Sequence, residues 1–325
     1  MANIMITECC NLHCPYCFAN EFVNKERNYI QLDAFNEALA FIKTAKQFDG
    51  RVGLIGGEPT VSPNFGKLIT LLQNDEQVKR VAVYTNGVLL DRFIDTLIKP
   101  KFDFLINLNA PKDIGNANYD RILENIGMLM KNGKGSHLAL GINLYEKNQD
   151  TRYFVKALKE YNITHARLSI TTPNNGTSDE GFRRLIELRS DLLDLTEQLL
   201  YEHIHFTIDC NRVPECVWSE LEQMKIDLIH RRMLNKHDLD NLLISCCNPV
   251  IDILPDLTAI RCFGMSDISK VDIRDFDTID KLEEYYRRTI DIPMLEIPVI
   301  PTCKNCKLFK NAKCYGGCIS NKRCC

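Results

Sequence analysis

The sequence predicts an α/β fold in which strands and helices alternate. Short apolar segments of strand length recur along residues 1–210, and segments with helical periodicity stand between them. Polar or glycine-rich loops follow several of the apolar segments directly, as at the carboxyl ends of strands in barrel enzymes. The 325 residues are enough for one large domain of this kind and a smaller unit. The alternation therefore predicts a parallel sheet or barrel.

Six strand and helix units are predicted in order. The strands are Asn3–Thr7, Arg51–Ile55, Arg80–Tyr84, Phe102–Leu108, Leu138–Leu144 and Ala166–Ile170. The helices that follow them are Leu32–Gln47, Phe65–Gln73, Asp91–Ile98, Tyr119–Met130, Thr151–Glu160 and Asp179–His203. The first helix carries Phe35, Leu39 and Ile42 on one stripe, which is typical of a helix packed on a sheet. A further short strand is predicted at Phe206–Asp209.

The composition gives no support for some classes of partner. The net charge is −3 and the basic residues are dispersed, so nothing supports a nucleic-acid surface. No apolar run approaches the roughly 20 residues of a membrane span, and the N-terminus does not resemble a signal peptide. We therefore expect a cytoplasmic protein, in which the 15 cysteines are more suited to metal binding than to disulfides.

Three cysteines follow the first strand within eight residues, at Cys10, Cys14 and Cys17. This spacing brings three thiolates close enough together to hold one metal cluster. A cubane of four irons normally takes four cysteines, so a set of three leaves one iron open for chemistry. A zinc knuckle is the alternative, and Cys9 is an alternative ligand to Cys10.

The second strand ends in Gly56-Gly57-Glu58-Pro59. Two glycines let a backbone approach a ligand closely, and a neighbouring carboxylate can accept hydrogen bonds from an ammonium group. An ordinary turn is the alternative, since these residue types are also common in turns.

The spacing CxxxCxxC, with Tyr16 just before the third cysteine, resembles the cluster motif of the radical S-adenosylmethionine (radical SAM) superfamily, and Gly56-Gly57-Glu58 matches its GGE motif. The resemblance implies a [4Fe–4S] cluster on Cys10, Cys14 and Cys17 that is chelated by S-adenosylmethionine. It implies that the segment Gly56–Pro59 grips the cofactor's amino group and that Tyr16 packs near the adenine. It also implies a partial (βα)6 TIM-type barrel, whose open face suits a bulky substrate.

Later strand ends supply further candidates for cofactor binding. The segment Asn107-Leu108-Asn109-Ala110-Pro111 stands where many peptide-modifying relatives carry Ser-Leu-Asp-Gly-Pro. Asn107 is a candidate for a hydrogen bond to a ribose hydroxyl, and Asn143, with Arg167 and Ser169, is a second candidate region. Simple strand termination is the alternative for the two asparagines.

The character of the chain changes after residue 245, because nine of the 15 cysteines lie between Cys246 and Cys325. We predict a barrel core at 1–210, a helical connection at 211–245 and a cysteine-rich module at 246–325. The module begins with a hairpin, Val250–Leu254 and Thr258–Phe263. A zinc ribbon is the alternative to iron here, since the later cysteines also have zinc spacing.

The module resembles the SPASM extension of radical SAM enzymes, which holds auxiliary [4Fe–4S] clusters. Three features depart from the usual pattern: Leu257 replaces a glycine, seven residues separate Cys306 from Cys314, and the last cysteine pair lies closer to Cys318 than is usual. The resemblance implies one or two auxiliary clusters. Their ligands would be Cys247, Cys262 and Cys318, with Cys246 or an upstream cysteine, for the first, and Cys303, Cys306, Cys314 and either Cys324 or Cys325 for the second. Cys210 and Cys216 are either extra ligands or buried thiols.

The resemblance implies an oxidoreductase or peptide-modifying maturase that cleaves S-adenosylmethionine reductively and abstracts hydrogen with the resulting deoxyadenosyl radical. A low-potential donor such as flavodoxin or ferredoxin would supply the electron. A ribosomal peptide or protein side chain is the leading substrate, and a small alcohol or aminocyclitol is the alternative. The alternative that is not an enzyme is a non-catalytic iron–sulfur electron carrier or a zinc-binding scaffold. Because the cysteine motif begins at residue 10, peptide recognition is expected from the barrel, the module or a separate partner.

Overall fold

The computed structural model describes residues 2–17, 19–20, 23–24, 28–171, 178–232, 247, 249–311, 313–314 and 316–322. It is a mixed α/β structure built on a parallel sheet, which confirms the predicted fold class. The chain forms two compact units, residues 1–140 with 249–289 and residues 141–248 with 290–325. The predicted domain limits at 210 and 245 stay a prediction.

Ten strands are described, and their bounds follow the apolar segments of the sequence closely. They are β1 Ala2–Met5, β2 Arg51–Ile55, β3 Arg80–Thr85, β4 Phe102–Asn107, β5 Leu138–Leu144, β6 His165–Ile170, β7 His205–Cys210, β8 Ile251–Ile253, β9 Thr258–Ile260 and β10 Val271–Asp272. Within the first unit the strands hydrogen-bond in the order β10-β9-β8-β1-β2-β3-β4. Within the second unit β6 and β7 pair in parallel.

The α-helices are α1 Leu32–Lys43, α2 Phe65–Asn74, α3 Ile94–Leu97, α4 Pro111–Ile114, α5 Asn116–Lys131, α6 Arg152–Glu160, α7 Ser178–Tyr201, α8 Glu220–Arg232, α9 Ser266–Ser269, α10 Ile279–Tyr286, α11 Ile292–Glu296 and α12 Lys307–Lys310. A π-helical turn, Arg287–Asp291, follows α10. The 3-10 helices are Pro59–Val61, Leu90–Phe93, Gly135–His137, Glu215–Val217, Phe263–Met265, Ile273–Asp275, Pro301–Asn305 and Ile319–Lys322. None of the described helices is long and apolar enough to cross a membrane.

Two helix predictions needed correction at their ends. The helix predicted to reach residue 47 ends at Lys43, where the Thr44 hydroxyl donates to the Phe41 carbonyl at 2.6 Å. The helix predicted at residues 91–98 is a 3-10 turn followed by the single turn α3. In the first case a local side-chain hydrogen bond ends the helix where the apolar pattern alone would continue it.

The parallel strands β1 to β4 form the core beside the candidate site. Ile4, Leu54, Val81 and Val83 are all inaccessible to solvent, as is typical of a parallel sheet covered on both faces. The register pairs Asn3 with Gly53 and carries the ends of β1 and β2 to the same edge. Loops that follow neighbouring parallel strands therefore meet at that edge.

The predicted hairpin is present as the antiparallel pair β8 and β9, and β8 also pairs in parallel with β1. Leu257 lies in the turn of this hairpin with a φ of +65°, a conformation that costs a non-glycine residue about 1–2 kcal/mol. The Leu257 side chain is buried, so its burial offsets part of that cost. This explains why a glycine is usual at the position and how a leucine is accommodated.

Candidate metal and cofactor site

The cysteine loop leaves β1 and packs directly on the end of β2. Gly57 N donates to Thr7 O at 2.9 Å, and Glu58 N donates to Cys9 O at 2.8 Å. A Cβ on Gly57 would lie 2.4 Å from Cys9 O, and one on Gly56 would lie 2.7 Å from Thr7 O. The two glycines are therefore required by the close approach of the cysteine loop, and not only by a ligand.

The thiols of Cys10, Cys14 and Cys17 lie near one another, and each of the three residues is half-buried. Burial raises the pKa of Cys10 to about 11 and that of Cys14 to about 12. Charges on Cys10 and Cys17 raise the Cys14 pKa further. A bound cationic cluster would stabilise the thiolates and displace these protons.

The side chain of Asn109 connects the end of β4 to the cysteine loop. Its Nδ2 donates to Sγ of Cys14 at 3.3 Å, and its Oδ1 accepts a hydrogen bond from the Tyr16 hydroxyl. Amide donors to cysteine sulfur stabilise the thiolate form and are among the groups that set the potential of an iron–sulfur cluster. In the sequence, Asn109 was distinguished only as the replacement for an aspartate, and its contact with Cys14 was not predicted.

A second asparagine makes the corresponding contact from the end of β3. Asn86 Nδ2 donates to Asn11 Oδ1 at 2.8 Å and lies 3.9 Å from Sγ of Cys10. The same sulfur accepts a hydrogen bond from Leu12 N at 3.4 Å. Asn86 was not predicted as a site residue. Its position as a polar residue at the carboxyl end of a buried strand was the signal that could have identified it.

Glu58 is buried and accepts hydrogen bonds from three neighbouring residues. It is 0% exposed, and its Oε1 accepts from Thr60 N at 3.1 Å, Thr60 Oγ1 at 2.6 Å and Thr85 Oγ1 at 2.7 Å. Its Oε2 accepts from Asn86 N at 2.6 Å. Burial raises the pKa of Glu58, while these hydrogen bonds oppose the increase. The carboxylate thus connects the strand ends of β2 and β3 and holds Asn86 in place, and its predicted role toward an ammonium group stays a prediction.

The two remaining candidates of this unit lie on the same edge. Pro59 is buried and begins the 3-10 helix that follows Glu58. The Oδ1 atom of Asn107, at the end of β4, is buried and accepts no hydrogen bond from the part of the chain that is described. An unpartnered amide oxygen is costly to bury, so this atom is open to a hydroxyl donor such as that of a ribose.

The polar candidates of the second unit are connected to one another. Asn143 Oδ1 accepts from Arg167 Nη1 at 2.7 Å, and Arg167 Nε donates to Asp209 Oδ2 at 2.8 Å. Ser169 is buried, and its hydroxyl lies 3.4 Å from the Ile170 carbonyl. The ion pair holds the Arg167 guanidinium across β6 and β7, so Asn143 is tied into a network within this unit.

The twelve described cysteines are all thiols. Cys262 belongs to the first unit, and Cys247, Cys303, Cys306, Cys314 and Cys318 belong to the second. Cys246, Cys324 and Cys325 lie outside the described residues. Among the described side chains, no three from His, Cys, Asp or Glu are already arranged around a single metal-ion position. The predicted ligands of the auxiliary clusters stay a prediction.

Comparison with known proteins identifies a domain. The model of the radical SAM superfamily matches residues 4–152. A GTP 3',8-cyclase of Chlorobaculum tepidum is 25% identical over 176 residues, which cover 50% of this chain and 50% of the cyclase. The human molybdenum cofactor biosynthesis protein 1 is 23% identical over 284 residues, which cover 82% of this chain and 42% of that protein. The chain thus spans half or less of the length of these relatives.

The fold also matches that of a solved protein. The crystal structure of Streptococcus suis SuiB bound to S-adenosylmethionine has a TM-score of 0.65 and 17% sequence identity, covering 98% of this chain and 72% of SuiB. SuiB bound to its precursor peptide SuiA gives a TM-score of 0.63 at the same identity, with 98% and 71% covered. At this identity the match shows a shared fold.

Proposed function

We propose that this chain, whose residues 4–152 match the model of the radical SAM superfamily, is a radical SAM maturase that modifies a peptide or protein side chain. The observation that carries the proposal is that the amides of Asn86 and Asn109, at one edge of the sheet, donate to the sulfurs of Cys10 and Cys14 in the cysteine loop. When bound, a [4Fe–4S] cluster supplies the electron that cleaves S-adenosylmethionine reductively, and the product radical abstracts hydrogen from a substrate C–H bond.

The residues of the loop fit such a cluster. Cys10, Cys14 and Cys17 would be its ligands, because they are the thiols gathered at the sheet edge. Asn86 and Asn109 would stabilise the ligating sulfurs by donating hydrogen bonds to Cys10 and Cys14. Cys10 is favoured over Cys9, since its sulfur already accepts two N–H donors.

The cofactor itself would meet residues that flank the loop. The Asn107 amide oxygen would accept a hydrogen bond from a ribose hydroxyl, which supplies the partner that this buried atom needs. The hydrogen bond from the Tyr16 hydroxyl to Asn109 fixes the Tyr16 ring, which would then pack near the adenine. Gly56 and Gly57 hold the backbone of the loop against β2, and Glu58 keeps that strand end rigid.

A peptide is the proposed substrate class for two reasons. The fold is shared with SuiB over 98% of this chain, and the SuiB structure with SuiA holds a precursor peptide. The cysteine-rich C-terminal segment also resembles the extension typical of peptide-modifying relatives. A low-potential protein such as flavodoxin or ferredoxin would donate the electron. Dehydrogenation of a small alcohol stays an untested alternative.

A second candidate substrate is a nucleoside triphosphate. Curated relatives from Chlorobaculum tepidum and Alkaliphilus oremlandii are GTP 3',8-cyclases, with 25% and 32% identity over 50% and 29% of this chain. These matches support a nucleotide substrate over only part of the chain, so the peptide is the preferred proposal.

The test is deoxyadenosine production by the anaerobically purified, iron-loaded protein with S-adenosylmethionine and dithionite. The protein is assayed in three ways: alone, with a synthetic library of short peptides, and with GTP. The masses of the peptide products are measured by mass spectrometry. Cys14→Ala should abolish deoxyadenosine. Cys9→Ala, which changes the neighbouring buried cysteine, should retain it and is the matched control.

The outcomes separate the proposals. A peptide-dependent increase in deoxyadenosine, with a change in peptide mass, supports the maturase. A GTP-dependent increase without a peptide product overturns the peptide and supports the nucleotide. If no arm yields deoxyadenosine from fully loaded protein, the radical reaction itself is contradicted.

A further inference from the structure

Helix α8 of the second unit begins in a capping box. Ser219 N donates to Glu222 Oε2 at 2.7 Å, and Glu222 N donates to Ser219 Oγ at 3.3 Å. The same carboxylate joins α8 to α7, because it accepts hydrogen bonds from Arg189 Nε and Ser190 Oγ, each at 2.7 Å. The start of the helix and its attachment to α7 are therefore fixed by polar contacts.

Lys225 continues these polar contacts one turn further along α8. Its Nζ lies 2.8 Å from Asp194 Oδ1 and 2.8 Å from Glu197 Oε2, both on α7. Ile226, the next residue of α8, is buried. Helix α8 thus turns two charged side chains, those of Glu222 and Lys225, toward its neighbour.

Three apolar side chains lie on the outer side of the same helix. Leu221, Met224 and Leu228 are 79%, 67% and 47% exposed. At 3.6 residues per turn, their spacing places all three within a sector of about 60°, and we call them the α8 stripe. A surface helix ordinarily turns such a stripe toward the core, so the arrangement in α8 is reversed. Contiguous exposed apolar groups of this kind mark interaction surfaces.

Carboxylates border the α8 stripe on both sides. Glu220 and Asp227 are exposed and follow the stripe on one side of the helix. On the other side lie Asp194 and Glu197, which are also exposed and share the ammonium of Lys225. The border therefore contains four carboxylates and one ammonium, and it attracts a cationic partner.

We propose that the α8 stripe docks a cationic amphipathic helical segment of the substrate peptide. This inference rests on the proposed function, because it takes a peptide as the substrate. Apolar side chains spaced three, four and seven positions apart in that segment would cover the stripe, and its lysines or arginines would pair with the bordering carboxylates. Arg231 and Arg232 end the helix beyond the stripe, so the cationic residues of the segment are expected over the first two turns of α8.

A second copy of this chain fits the α8 stripe less well. Two copies that met through their stripes would bring one acidic border against another, and like charges across an interface oppose association. The charge of the border thus favours a cationic peptide over self-association.

The first experiment measures binding without turnover. A fluorescein-labelled helical peptide of about 16 residues, with leucines on one face and lysines beside them, is titrated with the full iron-loaded chain in the absence of reductant. Fluorescence anisotropy is recorded. Met224→Ser, in the middle of the stripe, should weaken binding about tenfold. Ile268→Ser, which changes a single exposed aliphatic residue of the first unit, should leave binding unchanged.

A second set of variants tests the charge of the border. Glu220→Lys combined with Asp227→Lys should weaken binding of the lysine peptide about tenfold, and it should strengthen binding of a matched peptide that carries glutamates in place of the lysines. Glu76→Lys combined with Asp95→Lys makes the same change of charge at exposed positions of the first unit and should affect neither peptide. Raising the salt concentration from about 50 mM to about 500 mM should weaken binding of the lysine peptide several-fold.

Four outcomes overturn the proposal. The first is equal affinity of the native chain for the lysine and glutamate peptides, and the second is unchanged binding in Met224→Ser. The third is dimerisation of the native chain in sedimentation that Met224→Ser abolishes, which assigns the stripe to a second copy. The fourth is a lower melting temperature of Met224→Ser without peptide, which assigns the stripe to another segment of the same chain.

Turnover then connects the docking surface to the substrate. A library peptide that the native protein modifies should compete with the labelled peptide, and Met224→Ser should raise its KM with little change in kcat. An unchanged KM overturns the docking surface and leaves the proposed function standing. Deoxyadenosine production that no peptide stimulates contradicts the proposed function, whereas the binding of the labelled peptide by the native chain and by Met224→Ser is decided separately.

Discussion

Asn109 donates its side-chain amide to Sγ of Cys14 at 3.3 Å, across 95 positions of the chain. The same side chain accepts the hydroxyl of Tyr16, so one residue at the end of β4 holds two residues of the cysteine loop. Asn109 is buried, and solvent cannot replace its contacts readily. Asn109 therefore holds the cysteine loop in place at the end of β4.

We predict that Asn109→Ala lowers the reduction potential of the N-terminal cluster. Loss of one N–H donor removes about 1 kcal/mol of stabilisation, which is felt most by the more negative, reduced state. The measurement is a spectroscopic redox titration of iron-loaded protein. Asn107→Ala is the matched control, which should weaken S-adenosylmethionine binding and leave the potential unchanged. An equal change in the reduction potential of both variants would contradict the assignment of Asn109 as a hydrogen-bond donor to a cluster ligand.

Gly57→Ala should prevent stable cluster binding. The added Cβ would lie 2.4 Å from Cys9 O and 3.1 Å from Cβ of Cys10, so the loop has to move away from β2. Iron content after reconstitution is the readout. Gly66→Ala in helix α2 is the control, since its Cβ would meet only the Phe93 ring at 3.5 Å. That change should stabilise the helix by about 0.5–1 kcal/mol, and equal iron loss in both variants would rule out the steric explanation.

Asp252 makes the stability of the first unit depend on pH. Burial raises its pKa to about 7, although Asn3 Nδ2 donates to its Oδ1 at 2.7 Å. Asn3 Oδ1 is buried without a partner among the described residues, and a protonated Asp252 is the donor that it lacks. The folded state thus favours the protonated form of Asp252. As pH rises, the Asp252 carboxyl loses its proton at a lower pH in the unfolded chain than in the folded protein. Stability should fall as pH rises from about 4 to about 7.

Replacing Asp252 with Asn should remove this dependence, because an amide can donate to Asn3 without ionising. A difference of about three pKa units corresponds to about 4 kcal/mol, which is the upper limit of the gain above pH 7. The free energy of unfolding is measured at pH 5 and pH 8 for both proteins, with the exposed Asp95→Asn as control. The advantage of Asp252→Asn should be larger at pH 8, and a larger advantage at pH 5 would refute the account.

The sequence by itself determined the strand positions and the composition of the cysteine loop. The strands Arg51–Ile55 and Leu138–Leu144 were predicted at their observed bounds, since apolar runs of this length between polar loops have few alternatives. The Cys10–Cys17 spacing and the Gly56-Gly57 pair could also be identified from the sequence, because both are local patterns whose geometry depends on a few neighbouring residues.

Only the tertiary structure decided which distant side chains complete the sites. Asn86 and Asn109 reach the thiols because β3 and β4 end at the same edge as β1. Glu58 is saturated by Thr60, Thr85 and Asn86, and Asn3 pairs with Asp252 across 249 positions. Such contacts depend on strand order and register, which sequence spacing does not encode. A thiol or amide acquires its chemical role from the neighbours that the fold brings to it, and these lie far away along the chain.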